Sequence, residues 1–186
     1  VHTYSINRDQ TVLCFAGKSV ARLDPDYDAL MLFDQVFGAG VLGSMSSYLF
    51  RLREQTGLFY TISGSTVAGA DEQPGLVYIK TIVSNDRLGE AEKLIAKTID
   101  ESKDMLTAQD LEHACNAVIN SMVDHFESNE SIAQAFLFIN RFKLEPNYFS
   151  ERMVRLQKIT VDDVKQAVAK VLDTKKLIRI KIGRHI

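Results

Sequence analysis

The sequence predicts an α+β fold of two layers, a mainly antiparallel sheet with helices packed on one face. Three observations carry this. Short apolar or alternating stretches suited to strands stand near the start, in the middle and at the end of the chain. Segments with three-four apolar spacing fill most of the rest. The helical segments gather in the second half, whereas a parallel sheet would alternate them with strands. At 186 residues the chain suits one domain with a full core and is short for two.

Residues 1–9 are expected as an N-terminal linker remnant and 10–186 as the single domain; Val1 in place of Met fits an excised domain or a processed chain. "QTVLCFAG" is a short apolar strand. "DPDYDALMLFDQVFGAG" reads as a helix with Asp24 as N-cap and Pro25 in the first helical position, broken by Gly38 and Gly40. "GSMSSYLFRLREQTG" opens a second helix, capped by Ser44 and stopped by Gly57, because glycine takes the left-handed C-cap conformation without a Cβ clash. Strands are expected in "LFYTISGSTVA" and "GLVYIKTIVS", joined by the polar turn "GADEQPG".

The second half is helical until its last residues. Asp86 to Asp104 places Leu88, Ala91, Ile95 and Ile99 on one face, and Thr107 with Asp110 forms a capping box for the next helix. There Leu111, Ala114, Cys115, Val118, Ile119, Met122 and Phe126 make a core-facing stripe. "SIAQAFLFINRF" is apolar on most sides, which implies burial against more than one neighbour. Pro146 begins a further helical piece. Thr160 and Asp163 cap a last helix bearing Val161, Val164, Val168 and Val171. In the closing "LIRIKIG", Ile178, Ile180 and Ile182 alternate with Arg179 and Lys181, a strand packed on helices on one side only.

Several functions are argued against. The net charge of −2 comes from 22 basic and 24 acidic residues scattered along the chain, so nucleic acid is not an expected partner. No apolar run approaches the roughly 20 residues that span a bilayer, so no membrane is expected and the domain should be soluble, in a compartment the sequence does not reveal. Cys14 and Cys115 read as small buried hydrophobes. His2, His113, His125 and His185 fall in neither H-x-x-E-H nor H-E-x-x-H. His113 and His125, about 18 Å apart on one helix, cannot share a metal. No metal ligands and no cofactor site are therefore expected in this chain. "FGAGVLGS" follows a helix and lacks G-K-[ST], so it is no phosphate cradle.

"FGAGVLGSMSSYLFRLREQTGLFYTISGS" resembles the second-half, non-zinc domain of the pitrilysin and insulysin zinc peptidases, a family that includes the mitochondrial processing peptidases. The resemblance is carried by Gly38, Gly40, Ser47, Leu49, Leu52, Arg53, Glu54, Gly57, Leu58 and Tyr60, and extends from about Gln10 to Gly183. Tyr48 and Asp110 are mild departures. The resemblance implies a LuxS-like metallopeptidase half-domain that closes over a peptide substrate together with a zinc-bearing H-x-x-E-H half of the same or a partner chain. The zinc would lie in that other half. Alone this chain should be inactive, and a monomer or weak homodimer. The resemblance further implies that Arg53 grips a substrate carbonyl and that Tyr60 donates to the carbonyl oxygen that gains charge during cleavage.

Plainer readings stand beside this. Arg53 in a last helical turn is favourable through the helix dipole alone. Tyr60, on a strand face with Leu58 and Ile62, would be a core tyrosine with its hydroxyl at the edge. The alternative for the whole chain is a catalytically silent structural or assembly subunit of the same family.

Overall fold

The computed structural model describes residues 1–38 and 47–184; Gly40, Ser44 and His185 lie outside the described residues. Strands β1 (His2–Ser5), β2 (Gln10–Lys18), β3 (Thr61–Ala68), β4 (Leu76–Ser84) and β5 (Ile178–Gly183) form one sheet in the order β1-β5-β2-β4-β3. Every neighbouring pair is antiparallel except β1 with β5. Among the described residues seven α-helices accompany it: α1 (Tyr27–Phe37), α2 (Tyr48–Thr56), α3 (Leu88–Glu101), α4 (Ala108–Ser121), α5 (Asn129–Arg141), α6 (Tyr148–Leu156) and α7 (Val161–Val171).

The strand period decides which sheet face they cover. Leu13 and Phe15 of β2, with Val77, Ile79 and Val83 of β4, are buried, whereas Val12, Cys14 and Ala16 between them are only half-buried. On the covered side α1 packs between β3, α4 and α7, burying Leu30, Leu32, Phe33 and Phe37, with Phe33 and Phe37 stacked at 5.2 Å. Each such side chain contributes about 1.5–3 kcal/mol by leaving water. Both capping boxes form. Thr107 Oγ1 accepts from Asp110 N–H and Thr160 Oγ1 from Asp163 N–H, and each aspartate accepts the cap residue's own N–H.

The first helix starts later than its sequence suggests. Asp24 Oδ1 accepts from Asp26 N–H at 2.9 Å and the Asp24 carbonyl from Tyr27 N–H at 3.0 Å, so Asp24 and Pro25 close a turn ahead of α1. Within the stretch expected as a linker, His2–Ser5 run parallel to β5, from His2 beside Ile180 to Ser5 beside Gly183. All four residues are exposed, so no burial period marks this strand in the sequence.

The last strand is turned over relative to expectation. Lys181 lies beside Leu13 and Arg179 beside Phe15, which puts both basic side chains on the helix-covered face, where Glu92 of α3 receives them at 2.6 and 3.0 Å. These charge-assisted bonds hold the Glu92 carboxyl below its usual range in spite of its burial. Ile178, Ile180 and Ile182 therefore face the side that no described helix covers. There Tyr4, Ile182, Val12, Ile82 and Thr61 form one row across all five strands.

Two apolar stripes are less covered than the sequence implied. Met122 is buried, but after Ser121 the helix tightens into a 3-10 turn over Met122–Phe126, and Phe126 emerges 51% exposed. On α5 the expected contact with more than one neighbour is present, since the helix packs on the Met122–Phe126 turn and its Phe138 meets Tyr148 and Phe149 of α6, yet only Ala135 is fully buried and Phe136 and Leu137 stay exposed.

Candidate substrate-contact site

The two residues singled out in the sequence stand at a corner between α2 and β3. Helix α2 begins at Ser47, whose Oγ accepts from Phe50 N–H at 3.2 Å, and Tyr48 and Leu49 anchor its first turn in the core. The Tyr48 hydroxyl reaches Asp110 Oδ2 at 3.4 Å. Burial and that carboxylate push the phenol well above its ordinary pKa, so it remains a neutral tie between α2 and α4. Gly38, at the end of α1, lets Leu49 approach: a Cβ there would lie 2.7 Å from Leu49 Cδ1.

The helix ends as its sequence indicates. Gly57 has φ 56° and ψ 17°, and its N–H bonds the Arg53 carbonyl at 2.9 Å. Thr56 Oγ1 donates to the Leu52 carbonyl and accepts the Leu58 N–H, closing the turn. The next residues depart from the expected strand. Leu58 and Phe59 are both buried, which breaks the period of two, and β3 begins only at Thr61. Two adjacent anchors leave Tyr60 pointing outward, 70% exposed, with its N–H on the Ile82 carbonyl at 3.1 Å. Tyr60 is thus not the core tyrosine that a shared face with Leu58 and Ile62 would make it.

Arg53 and Tyr60 line the same open cleft, of about 360 Å³, together with Ser47, Phe50, Thr61 and Ile62. The Arg53 guanidinium lies 5.9 Å from the Phe50 ring centroid and 3.5 Å from Glu54 Oε1, with about two-fifths of the side chain exposed. The Tyr60 hydroxyl makes no hydrogen bond among the described residues. The cleft thus offers guanidinium N–H groups and a phenolic O–H above an apolar wall, a donor set suited to peptide carbonyl oxygens. Arg51 serves a different cleft, its guanidinium 5.0 Å from the Tyr48 ring.

A buried carboxylate fixes the strand behind the cleft. Asp34 of α1 is 4% exposed and accepts from Ser65 Oγ at 2.6 Å and Thr66 N–H at 2.6 Å. Thr66 Oγ1 lies 2.7 Å from Asp34 and 3.0 Å from the Leu30 carbonyl, and its single proton can serve only one of them. Burial pushes the Asp34 carboxyl above its usual range, against the hydrogen bonds from Ser65, Thr66 and Val67 that favour the carboxylate. Sequence reasoning did not find Asp34, although an acid inside the apolar run "LMLFDQVF" was a signal. It also missed Phe50, Thr61 and Ile62, which join the cleft only through the fold.

Among the described residues no group of three or more His, Cys, Asp or Glu side chains could hold a metal ion. His113 and His125 are both exposed, and Cys14 and Cys115 are free thiols. No described helix is long and apolar enough to cross a membrane.

Residues 2–118 match the family model described as the peptidase M16 inactive domain. No curated protein matches the chain. Among solved structures, the M16 inactive domain from Pseudomonas fluorescens superposes with a TM-score of 0.85 at 24% identity, over all of this chain and 43% of the other. An inactive peptidase domain from Bordetella parapertussis gives 0.75 at 17% identity, over 95% of this chain and 94% of that one. A ferredoxin protease in complex with Arabidopsis ferredoxin gives 0.77 at 16%, over 99% of this chain and 20% of the protease. At these identities the similarity establishes the fold. The chain spans less than half the length of the Pseudomonas protein.

Proposed function

The chain belongs to the peptidase M16 family as one of its inactive domains, and from that membership we propose that it is the substrate-clasping half of a zinc endopeptidase. The observation that carries the proposal is the shared cleft of Arg53 and Tyr60, seven residues apart in sequence and presented to solvent by the Gly57 corner. The described residues do not fit a zinc ion. The metal that would activate water for cleavage belongs, in this reading, to the other half.

The roles of the pair follow from their chemistry. Arg53 holds a peptide carbonyl in its planar fork, and Tyr60 donates to the carbonyl oxygen whose charge grows as the amide is attacked. Phe50 keeps the guanidinium over an apolar wall, which limits competition from water. The apolar row on the sheet face that no described helix covers ends at Thr61, a lining residue of the cleft, and supports placing the zinc-bearing half on that side.

The test uses the protein with its zinc-bearing half present. Tyr60→Phe keeps the ring and deletes the donor, so kcat should fall by roughly 10²-fold or more with zinc content unchanged. Arg53→Lys should chiefly raise KM, because the grip acts on bound substrate as well. Arg51→Lys, on the other cleft, should be nearly silent. Parental cleavage rates in both Tyr60→Phe and Arg53→Lys would leave the domain a structural or assembly subunit.

A further inference from the structure

We propose that the groove between the turn Met122–Phe126, α5 and α6 is a docking surface for a basic, amphipathic helix of a separate protein. Helix α5 is apolar around most of its circumference, and a helix of that kind is normally buried on all those sides. Here one side meets the core through Ala135, while Phe136 and Leu137 stand 62% and 61% exposed. Val123 and Phe126 add two more exposed apolar side chains beside them. Between them lies a groove of about 180 Å³ walled by Phe126, Phe136, Ile139 and Met153, with Ala135 and the buried ring of Phe149 in its lining. Phe126 meets Phe149 edge to face at 5.7 Å, so the groove is already shaped.

Charge selects the occupant. No lysine or arginine occurs between Lys103 and Arg141, although Asp104, Asp110, Glu112, Asp124, Glu127 and Glu130 do. In the segments that bound the groove, Asp124, Glu127, Glu130, Glu145 and Glu151 form no ion pair among the described residues; Lys143 and Arg155 form none either, which leaves an acidic excess. Arg141, at the far end of α5, is taken up by Asp71 and Glu72 at 3.0 and 2.9 Å. An apolar groove with an unpaired acidic rim is complemented by a helix that inserts aliphatic anchors at i and i+3 or i+4 and carries lysine or arginine beside them. This surface lies on the helical layer, whereas the apolar row that leads to the cleft lies on the opposite face of the sheet. The two share no lining residue. On the proposed function the zinc-bearing half sits on the sheet, and on that reading this groove stays open for another protein.

The experiment measures fluorescence anisotropy of a labelled helical peptide of leucine and lysine in amphipathic spacing, titrated with the chain. A second peptide with glutamate in place of lysine is the control. The lysine peptide should bind at least tenfold more tightly than the glutamate peptide. The double variant Phe136→Ser, Leu137→Ser should weaken it at least tenfold without changing the melting temperature, since both side chains are exposed. Glu127→Gln with Glu130→Gln should weaken binding at low salt and flatten its salt dependence. Arg53→Ala removes the grip proposed for the substrate cleft, so a peptide seated there would bind more weakly; an unchanged affinity of the lysine peptide for this variant separates the groove from that cleft. Equal affinity of the two peptides, or of parent and double variant for the lysine peptide, overturns the proposal. So does ultracentrifugation showing a dimeric parent and a monomeric double variant, which would make the patch a contact between copies.

Discussion

Gly57→Val isolates the backbone term that shapes the substrate corner. Gly57 lies at φ 56°, ψ 17°, and no atom stands within 4 Å of where its Cβ would be, so an added side chain meets no neighbour. The cost is therefore conformational. A residue with a Cβ pays about 1–2 kcal/mol in the left-handed region, and a β-branched one pays more. For a domain of this size each kcal/mol lowers the melting temperature by about 2–4 °C, so Gly57→Ala should lose about 2–8 °C and Gly57→Val at least as much. Asparagine visits this region readily, and Gly57→Asn should keep most of the stability. Gln55→Ala sets the baseline, because Gln55 is exposed and helical and alanine suits that position. Circular dichroism melts of the four variants decide it. If Gly57→Val and Gln55→Ala melt together, or if Asn falls as far as Val, the cap does not hold the corner.

Two further tests address the buried charges. Because the folded-state pKa of Asp34 is raised, this group's stabilisation is fully present below the ordinary carboxylate value and is lost as pH rises through the folded pKa. In Asp34→Asn that decline should vanish from the melting temperature measured between about pH 4 and 7, and parallel curves for parent and variant would refute the assignment. Arg152, 5% exposed, donates through Nε and Nη2 to Asp28 Oδ1 at 2.9 and 2.7 Å and so ties α6 to α1. Arg152→Met should cost about 3 kcal/mol in urea unfolding, the lower end for a broken buried pair because Asp28 keeps some contact with water; a loss below about 1 kcal/mol would show the pair to be dispensable.

What was legible in the sequence was whatever local chemistry decides. The capping boxes at Thr107 and Thr160 need only a hydroxyl and a carboxylate three residues apart, and the Gly57 stop needs only an absent Cβ. What failed was any inference in which the tertiary environment chooses a side. Alternation in "LIRIKIG" correctly announced a strand with two unlike faces, but nothing in a period of two states which face meets helices. The answer came from Glu92, a residue 87 positions from Arg179, whose carboxylate makes the basic side tolerable inside. Similarly, the apolar girth of α5 announced more than one neighbour, and only the fold could reveal that the 122–126 turn and α6 cover part of it while Phe136 and Leu137 stay exposed.

The cleft shows the same division at closer range. Arg53 and Tyr60 were singled out through the spacing of a family pattern and line one cleft, while periodicity alone turned Tyr60 inward. Periodicity misled there because it assumes a continuous strand, and the chain instead spends Leu58 and Phe59 side by side on the core before β3 begins. That pair of anchors costs the regular ladder two residues and exposes the next side chain. A tyrosine left 70% exposed, with no intramolecular bond to its hydroxyl among the described residues, gains nothing for the stability of this domain from its hydroxyl. Folding thus accounts for the Gly57 cap and the Leu58 and Phe59 anchors of this corner, whereas the Tyr60 hydroxyl is left to the role proposed for it in substrate contact.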